Sequence, residues 1–106
     1  MNKKGLDKLW SDKVKEIGYC KRCGAIWELE AHHIFGRFNK STRWDLMNGI
    51  CLCRICHENA HENPIEFKKW HRDQIGGDAF DALQRKSREV AKNIDYREIE
   101  ETLKGK

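Results

Sequence analysis

Two pairs of cysteines in the sequence have the spacing of metal ligands. Cys20 and Cys23 form one CxxC motif, and Cys53 and Cys56 form a second. The two intervening residues let both sulfurs of a motif turn toward one point, and four thiolates suit tetrahedral Zn²⁺. The chain begins without an apolar leader, so we expect a reducing compartment, where such motifs bind zinc rather than form disulfides. The sequence therefore predicts a structural zinc site.

Four histidines lie close to these cysteines in the sequence. His32 and His33 are adjacent at the end of a predicted strand, so they should point to opposite sides of it. His57 and His61 are four residues apart in a predicted helix and should lie on one face, a common spacing for metal ligands. A lone histidine is more often a satisfied polar residue than a ligand. This clustering favours a second metal site.

One further cysteine and one further histidine lie outside these two groups. Cys51 is the fifth cysteine and shares a strand face with Cys53, so we expect a buried free thiol or, alternatively, a side chain packed beneath the zinc. His71 lies in a later helix, away from the other histidines, and we expect it at the surface.

Composition predicts one small domain with a thin core. The chain has 106 residues, of which 39% are hydrophobic and 36% charged, and such chains usually need a metal or a partner for stability. The net charge is +4, and the positive excess falls in residues 1–22 and 32–56. A phosphate-rich partner suits this distribution, although a solvated lysine-rich surface would also produce it. No apolar run approaches membrane-spanning length, so we expect a cytoplasmic protein, either a monomer or a weak dimer.

Periodicity predicts an α+β fold with a central hairpin. The predicted elements are an N-terminal helix over residues 1–18, a strand over 26–34, an irregular polar loop over 35–47, a strand over 49–52 and a helix over 53–62. The hairpin and the helix after it form a core over residues 19–62. Further helices over residues 63–106 complete a single domain spanning residues 1–106.

Capping residues predict where the later helices begin. Asn63 precedes a proline and should cap the first of these helices. Asp78 should begin a second helix that carries Val90 and Ala91. Asp95 should begin a last short helix.

The histidines, the asparagine between them and the CxxC pairs together resemble a known family. The matching positions are His32-His33-Ile34, Asn48-Gly49-Ile50-Cys51-Leu52-Cys53, Cys56-His57 and His61. This pattern resembles the HNH endonucleases, whose ββα-metal core is a hairpin and a helix around one divalent ion. A wider stretch, from the first helix to the Gly-Gly turn, is similar to phage recombination-type HNH proteins of the NinG kind.

The resemblance implies a role for each residue of the cluster. His33 would be the general base that takes a proton from the attacking water, and Asn48 would brace the loop that holds it. His32, His57 and His61 would ligate one catalytic divalent metal. Manganese, nickel or magnesium should support turnover, and zinc should bind there and inhibit. The reaction would be hydrolysis of a DNA phosphodiester, leaving 5′-phosphate and 3′-hydroxyl ends.

The expected partner is DNA, contacted mainly through its phosphates. The basic side chains predicted to make those contacts are Arg37, Lys40, Arg43, Arg54, Lys21 and Arg22. Trp44, next to Arg43, could stack on a base, but we expect its indole to lie in the core instead. No recognition helix is evident, so we expect nicking with low sequence specificity, with phage DNA-processing proteins as further partners. The rival interpretation is a non-catalytic zinc module that binds nucleic acid.

Overall fold

The structure, a computed structural model, describes residues 2–105. Its elements are α1 (Lys3–Lys15), β1 (Leu29–His33), α2 (Lys40–Arg43), a 3-10 turn (Leu46–Asn48), β2 (Gly49–Cys53), α3 (Arg54–Glu62), α4 (Pro64–Ile75), α5 (Gly77–Ser87) and α6 (Tyr96–Leu103). Met1 and Lys106, the outer bounds of the predicted domain, lie outside the described residues. The α+β class predicted from the sequence is confirmed.

The two strands form an antiparallel hairpin that leads directly into α3. His32 lies opposite Ile50, and His33 lies opposite Gly49. Cys53 ends β2 and also caps α3, since its sulfur accepts a hydrogen bond from the backbone N–H of Cys56. Strand and helix therefore meet without a connecting loop, which fixes the helix relative to the hairpin.

Two apolar clusters cover different parts of the hairpin. One contains Ile50 and Leu52 of β2 with Phe67 of α4 and Phe80 of α5. These β2 residues are two apart and so share one face of the strand. The second cluster joins α1 to α6 and to the loop between the strands, through Leu6, Trp10, Trp44 and Leu103. The prediction of a core position for Trp44 is confirmed, since it is buried.

Helix α1 packs so closely on Gly49 of β2 that a side chain at this position would not fit. A Cβ atom on Gly49 would lie 2.5 Å from a methyl of Val14 and 2.7 Å from the ring of Trp10. Real Cβ atoms are not found at such distances. Glycine at position 49 therefore permits the contact that places Trp10 against the hairpin.

The loop between the strands is more ordered than the sequence analysis predicts. It contains α2, where the side chain of Asn39 accepts a hydrogen bond of 2.9 Å from Ser41 N, and the 3-10 turn, where Asp45 does the same for Met47 N. The prediction of an irregular segment over residues 35–47 was wrong. Elements of three or four residues show no hydrophobic period, but Asn39 and Asp45 were visible cap signals.

Of the three residues predicted to cap the later helices, one does so. Helix α5 begins at Gly77 with Gly76 at its N-cap, so the prediction that Asp78 begins it was wrong by one residue. Asp95 caps α6 through a 3.1 Å bond from Glu98 N, as predicted. Helix α4 begins after Asn63, but this residue makes no side-chain capping bond. Helix α5 ends at Ser87, so the prediction that it carries Val90 and Ala91 was wrong. Within residues 2–105, no helix combines the length and apolar character needed to cross a bilayer.

Candidate metal centres

The four predicted zinc ligands converge. The sulfurs of Cys20, Cys23, Cys53 and Cys56 all lie within 4.8 Å of one another, with Cys23 and Cys53 Sγ atoms 3.7 Å apart. In each CxxC motif the backbone N–H of the second cysteine donates a hydrogen bond of 3.4 Å to the sulfur of the first cysteine. Gly24 follows the first motif with φ of 83°, the left-handed turn that glycine adopts freely. This donor set could hold a structural metal such as zinc.

The surroundings of Cys20, the first cysteine of the cluster, favour its thiolate form. Although burial opposes it, hydrogen bonds from the backbone N–H groups of Cys53, Cys23 and Arg22 lower the pKa of Cys20 to about 6. Cys51 is buried but stands outside the ligand group, which agrees with the simpler of its two predicted roles, a buried free thiol.

Three histidines form a second group of potential ligands. Ring nitrogens of His32, His57 and His61 lie within 4.8 Å of one another, and the Nε2 atoms of His57 and His61 are 3.2 Å apart. Strand β1 supplies the first of these residues, and α3 supplies the other two from one face. The two elements therefore bring three imidazoles to one point: the spacing predicts the pair from α3, and the family resemblance implies His32 as the third.

The environment of His32 suits a metal ligand. Its side chain is buried, and Nδ1 has no hydrogen-bond partner within the described residues. Burial, followed by the nearby imidazoles of His57 and His61, lowers the pKa of His32 to about 3. The ring therefore stays neutral, the form that coordinates a metal. A divalent ion would satisfy the polar side chain that this site otherwise leaves unpaired.

The carboxylate next to the histidine triad was not predicted from the sequence. Glu30 Oε1 lies 2.7 Å from Nδ1 of His57, on the ring edge away from His61. Glu30 and His32 are two residues apart on β1 and so share a face of the strand. That alternation was the available signal.

His33 faces the other side of β1, as predicted, and its ring is held from two directions. The indole of Trp10 stacks on it, with ring centroids 3.8 Å apart and planes 10° from parallel. Its Nε2 lies 3.0 Å from the carbonyl oxygen of Arg43. A carbonyl only accepts, so Nε2 carries the hydrogen and Nδ1 keeps the free lone pair. Burial lowers the pKa of His33, although the bond to this carbonyl opposes the shift.

The carbonyl that holds His33 is itself anchored by α1. The carboxylate of Asp7 accepts bonds of 2.9 and 2.6 Å from the guanidinium of Arg43, and one of 2.9 Å from the indole of Trp44. The Arg43 side chain is only 18% exposed. Predicted as a DNA contact, it is engaged within the protein, where it connects α1 to the loop behind His33.

Asn48 spans the loop between the strands. Its Oδ1 accepts from Phe35 N at 2.8 Å, and its Nδ2 donates to Phe35 O at 2.9 Å and to Thr42 O at 3.1 Å. The side chain is fully buried. The amide thus ties the segment after His33 to the end of the loop.

His33 and the histidine triad open onto shared space. A cavity of about 530 Å³ is lined by the four clustered histidines together with Asp7, Lys8, Trp10, Ser11, Ala31, Gly36 and Arg37. An adjoining cavity of about 180 Å³ is lined by His32, His33, His61 and Lys68, among others. Lys8 and Lys68 were not predicted as contacts, because their positions in helices α1 and α4 do not reveal which way they face.

The other predicted DNA contacts are spread over the molecule. Of these five, Arg37 alone lines either histidine cavity. Arg22 packs over the rings of Phe67 and Trp70, with one guanidinium nitrogen buried. Arg54 lies 3.4 Å from a carboxylate oxygen of Glu28. The remaining two, Lys21 and Lys40, line cavities elsewhere.

The prediction that His71 is a surface residue was wrong. It is 5% exposed and stacks on Phe67, four residues earlier on the same face of α4. Burial lowers the pKa of His71, so the ring is held neutral among aromatic side chains. It lies outside both potential ligand groups.

Comparisons with protein-family models, with curated proteins and with solved structures gave no match.

Proposed function

We propose that this protein is a metal-dependent endonuclease that hydrolyses DNA phosphodiester bonds. One observation carries the proposal. A single cavity is lined by three imidazoles grouped as potential metal ligands and by a fourth, His33, whose Nδ1 has no hydrogen-bond partner among residues 2–105. The resemblance of the His–Asn–His and CxxC pattern to HNH endonucleases supports the same class of reaction.

His33 is suited to act as the general base. Its Nε2–H is tied to the Arg43 carbonyl, so Nδ1 is the atom that accepts a proton from a water molecule. The stacked ring of Trp10 restricts rotation of the imidazole. The deprotonated water oxygen forms a bond to phosphorus as the bond from phosphorus to the 3′ oxygen breaks, and the leaving oxygen takes up a proton from solvent.

The triad of His32, His57 and His61 would hold the divalent ion of this reaction. When bound, such an ion stabilises the negative charge that develops on the phosphate and on the leaving oxygen. The all-imidazole donor set accepts several transition metals, and nickel binds imidazole better than manganese or magnesium does. Binding strength does not decide turnover, so we expect manganese, nickel or magnesium to activate.

Positive side chains around the cavity suit a phosphate backbone. Arg37 and Lys8 line the larger cavity, and Lys68 lines the adjoining one. Lys8 also pairs with Asp12 at 2.7 Å, an exposed contact that a phosphate could replace. These cations would contact phosphates and thereby position the strand without reading its sequence. DNA binding should accordingly weaken steeply as the salt concentration rises.

The test is cleavage of supercoiled plasmid with a panel of Mg²⁺, Mn²⁺, Ni²⁺ and Zn²⁺. Wild type should produce nicked circles, and His33→Ala should reduce the rate by ~10²–10⁴-fold, the usual contribution of a general base. Binding to duplex DNA, measured by fluorescence anisotropy, should be retained in the variant. His71→Phe is the matched control, because it removes a histidine that lies outside both ligand groups and packs among aromatic rings.

Two results would contradict the proposal. His33→Ala with wild-type nicking would remove the base from the mechanism. Duplex binding without nicking in any metal would instead favour a non-catalytic zinc module. Activity with Zn²⁺ alone would keep the endonuclease but overturn the expected choice of metal.

A further inference from the structure

We propose that Glu30 is a positioning residue for the histidine metal site. Its carboxylate would hold His57 in the tautomer and orientation that turn Nε2 toward the other two ligands. The inference rests on the proposed function for its purpose, since a metal site is what such positioning serves. Its test does not depend on DNA cleavage.

The first step is the tautomer of His57. Glu30 Oε1 lies 2.7 Å from Nδ1 of that ring, and an ionised carboxylate can only accept a hydrogen bond. Nδ1 therefore carries the hydrogen. In a neutral imidazole the lone pair must then be on Nε2.

The second step is the direction of that lone pair. His57 Nε2 lies 3.2 Å from His61 Nε2, and the ring of His57 stands edge-on to that of His32, with centroids 5.0 Å apart. The atom freed by Glu30 is thus the one that faces the point of convergence. Without the carboxylate, the ring could place its hydrogen on Nε2 and donate it to His61, which would close the site to a metal.

The third step is the rigidity of the contact. Glu30 is a strand residue paired across the hairpin with Leu52, a fully buried residue, so its backbone is fixed relative to β2 and to α3 beyond it. The side chains of His57 and Glu30 are 22% and 44% exposed, so the contact is partly sheltered from water. Hydrogen bonds between a ligating histidine and a carboxylate fix the ring and increase its strength as a ligand.

Glu30 itself lies outside the group of potential ligands, which contains His32, His57 and His61. Its effect on the metal would therefore pass through His57. Loss of such a hydrogen bond typically weakens metal binding by about 10–100-fold.

The experiment is calorimetric titration with Ni²⁺ of protein that carries one equivalent of Zn²⁺, enough for the cysteine cluster alone, for wild type, Glu30→Ala, Glu30→Gln and Glu58→Ala. We expect Glu30→Ala to bind Ni²⁺ about 10–100-fold more weakly. Glu30→Gln should lose less, since its amide oxygen still accepts from Nδ1–H. Glu58 is exposed, adjacent to His57 in α3, and serves as the matched control with unchanged affinity.

A second readout is the tautomer itself, from long-range ¹H–¹⁵N NMR spectra of the imidazoles without Ni²⁺. Wild-type His57 should be the Nδ1–H form, and Glu30→Ala should shift it toward Nε2–H. Wild-type Ni²⁺ affinity in Glu30→Ala would overturn the inference, and so would an Nε2–H tautomer in wild type. Should Glu30→Ala fail to fold, the wild-type tautomer and the affinity of Glu30→Gln decide.

These outcomes separate the inference from the proposed function. Ni²⁺ binding that depends on Glu30, together with an absence of nicking, would leave the metal site intact and reject the endonuclease. Nicking that persists in Glu30→Ala with unaltered Ni²⁺ affinity would instead keep the endonuclease and reject the positioning role of Glu30.

Discussion

A single amide, that of Asn48, connects the two ends of the loop between the strands. Replacement by alanine would leave three buried or half-buried backbone groups, the N–H and carbonyl of Phe35 and the carbonyl of Thr42, without these partners. An unpaired buried polar group costs ~1–3 kcal/mol. We expect Asn48→Ala to lower the free energy of unfolding by about 3 kcal/mol, measured by urea denaturation.

Asn63→Ala is the control for this measurement. Asn63 is exposed and makes no side-chain capping bond at the start of α4, so its removal should change stability by less than about 0.5 kcal/mol. Equal losses in the two variants would show that the bonds of Asn48 add nothing beyond those of a surface amide.

For single residues, sequence spacing predicts which side chains lie close together, but it does not predict what surrounds them. The two histidines of α3 were placed on one face by their separation of four residues, and that holds. The burial of His71 was missed, although it follows Phe67 by the same separation on the apolar face of α4. The contact between Glu30 and His57 depends on the packing of α3 against β1, which neither element encodes alone.

At the scale of elements, α1 is the support for His33. Gly49→Ala should push α1 away, because the new methyl would lie 2.5 Å from Val14 and 2.7 Å from Trp10. Overpacking of this kind costs about 1–3 kcal/mol, and the displaced indole would release the His33 ring. Urea denaturation should show the loss of stability, and plasmid nicking should slow.

Gly36→Ala is the control for stability, since a Cβ there meets nothing within 4 Å. A Gly49→Ala protein as stable as Gly36→Ala would mean that α1 tolerates a shift at no cost.

The pairing of α1 with the loop should also depend on pH. Burial raises the pKa of Asp7, but the hydrogen bonds from Arg43 and Trp44 outweigh it and hold that pKa below its ordinary value of 3.8. A depressed carboxyl pKa stabilises the fold above the ordinary value, and this stability is lost as pH falls through the folded value. Asp7→Asn should therefore cost about 1 kcal/mol at pH 7 and progressively less below pH 4.

The measurement is the difference in unfolding free energy between wild type and Asp7→Asn across pH 3–7. Both proteins share every other titrating group, so the difference isolates this carboxyl. Asp73→Asn, an exposed residue of α4, should show no such difference. A difference that stays constant down to pH 3 would contradict the assigned role of the Asp7 charge.

Among the secondary-structure elements, the long helices were predictable from the sequence and the short ones were not. Helices of eight or more residues show an apolar period, so α1, α3 and α4 could be located from the sequence. Helix α2 has four residues and owes its form to the Asn39 cap and to the bonds of Asn48, which only the folded loop assembles.

At the scale of the whole molecule, the two candidate metal centres are joined at the junction between β2 and α3. Cys53 ends β2 and caps α3, Cys56 lies in the first turn of that helix, and His57 follows immediately. Zinc bound to the cysteine cluster would therefore fix the start of α3 and, through it, the direction of both helical imidazoles. Loss of the first metal should then weaken the second site, although the two share no ligand.

Cys53 and Cys51 are two buried thiols on one strand, and of the two only Cys53 belongs to the cluster, so Cys53→Ala and Cys51→Ala form a matched pair. Structural zinc contributes ~10–16 kcal/mol in small domains, as much as the whole ~5–15 kcal/mol by which a domain is usually stable. Cys53→Ala should consequently lose its zinc, measured by a colorimetric assay, and its cooperative thermal transition. Cys51→Ala should keep both, together with wild-type affinity for Ni²⁺ at the histidine site. Ni²⁺ affinity that survives the loss of zinc in Cys53→Ala would mean that α3 holds its position without the cysteine cluster.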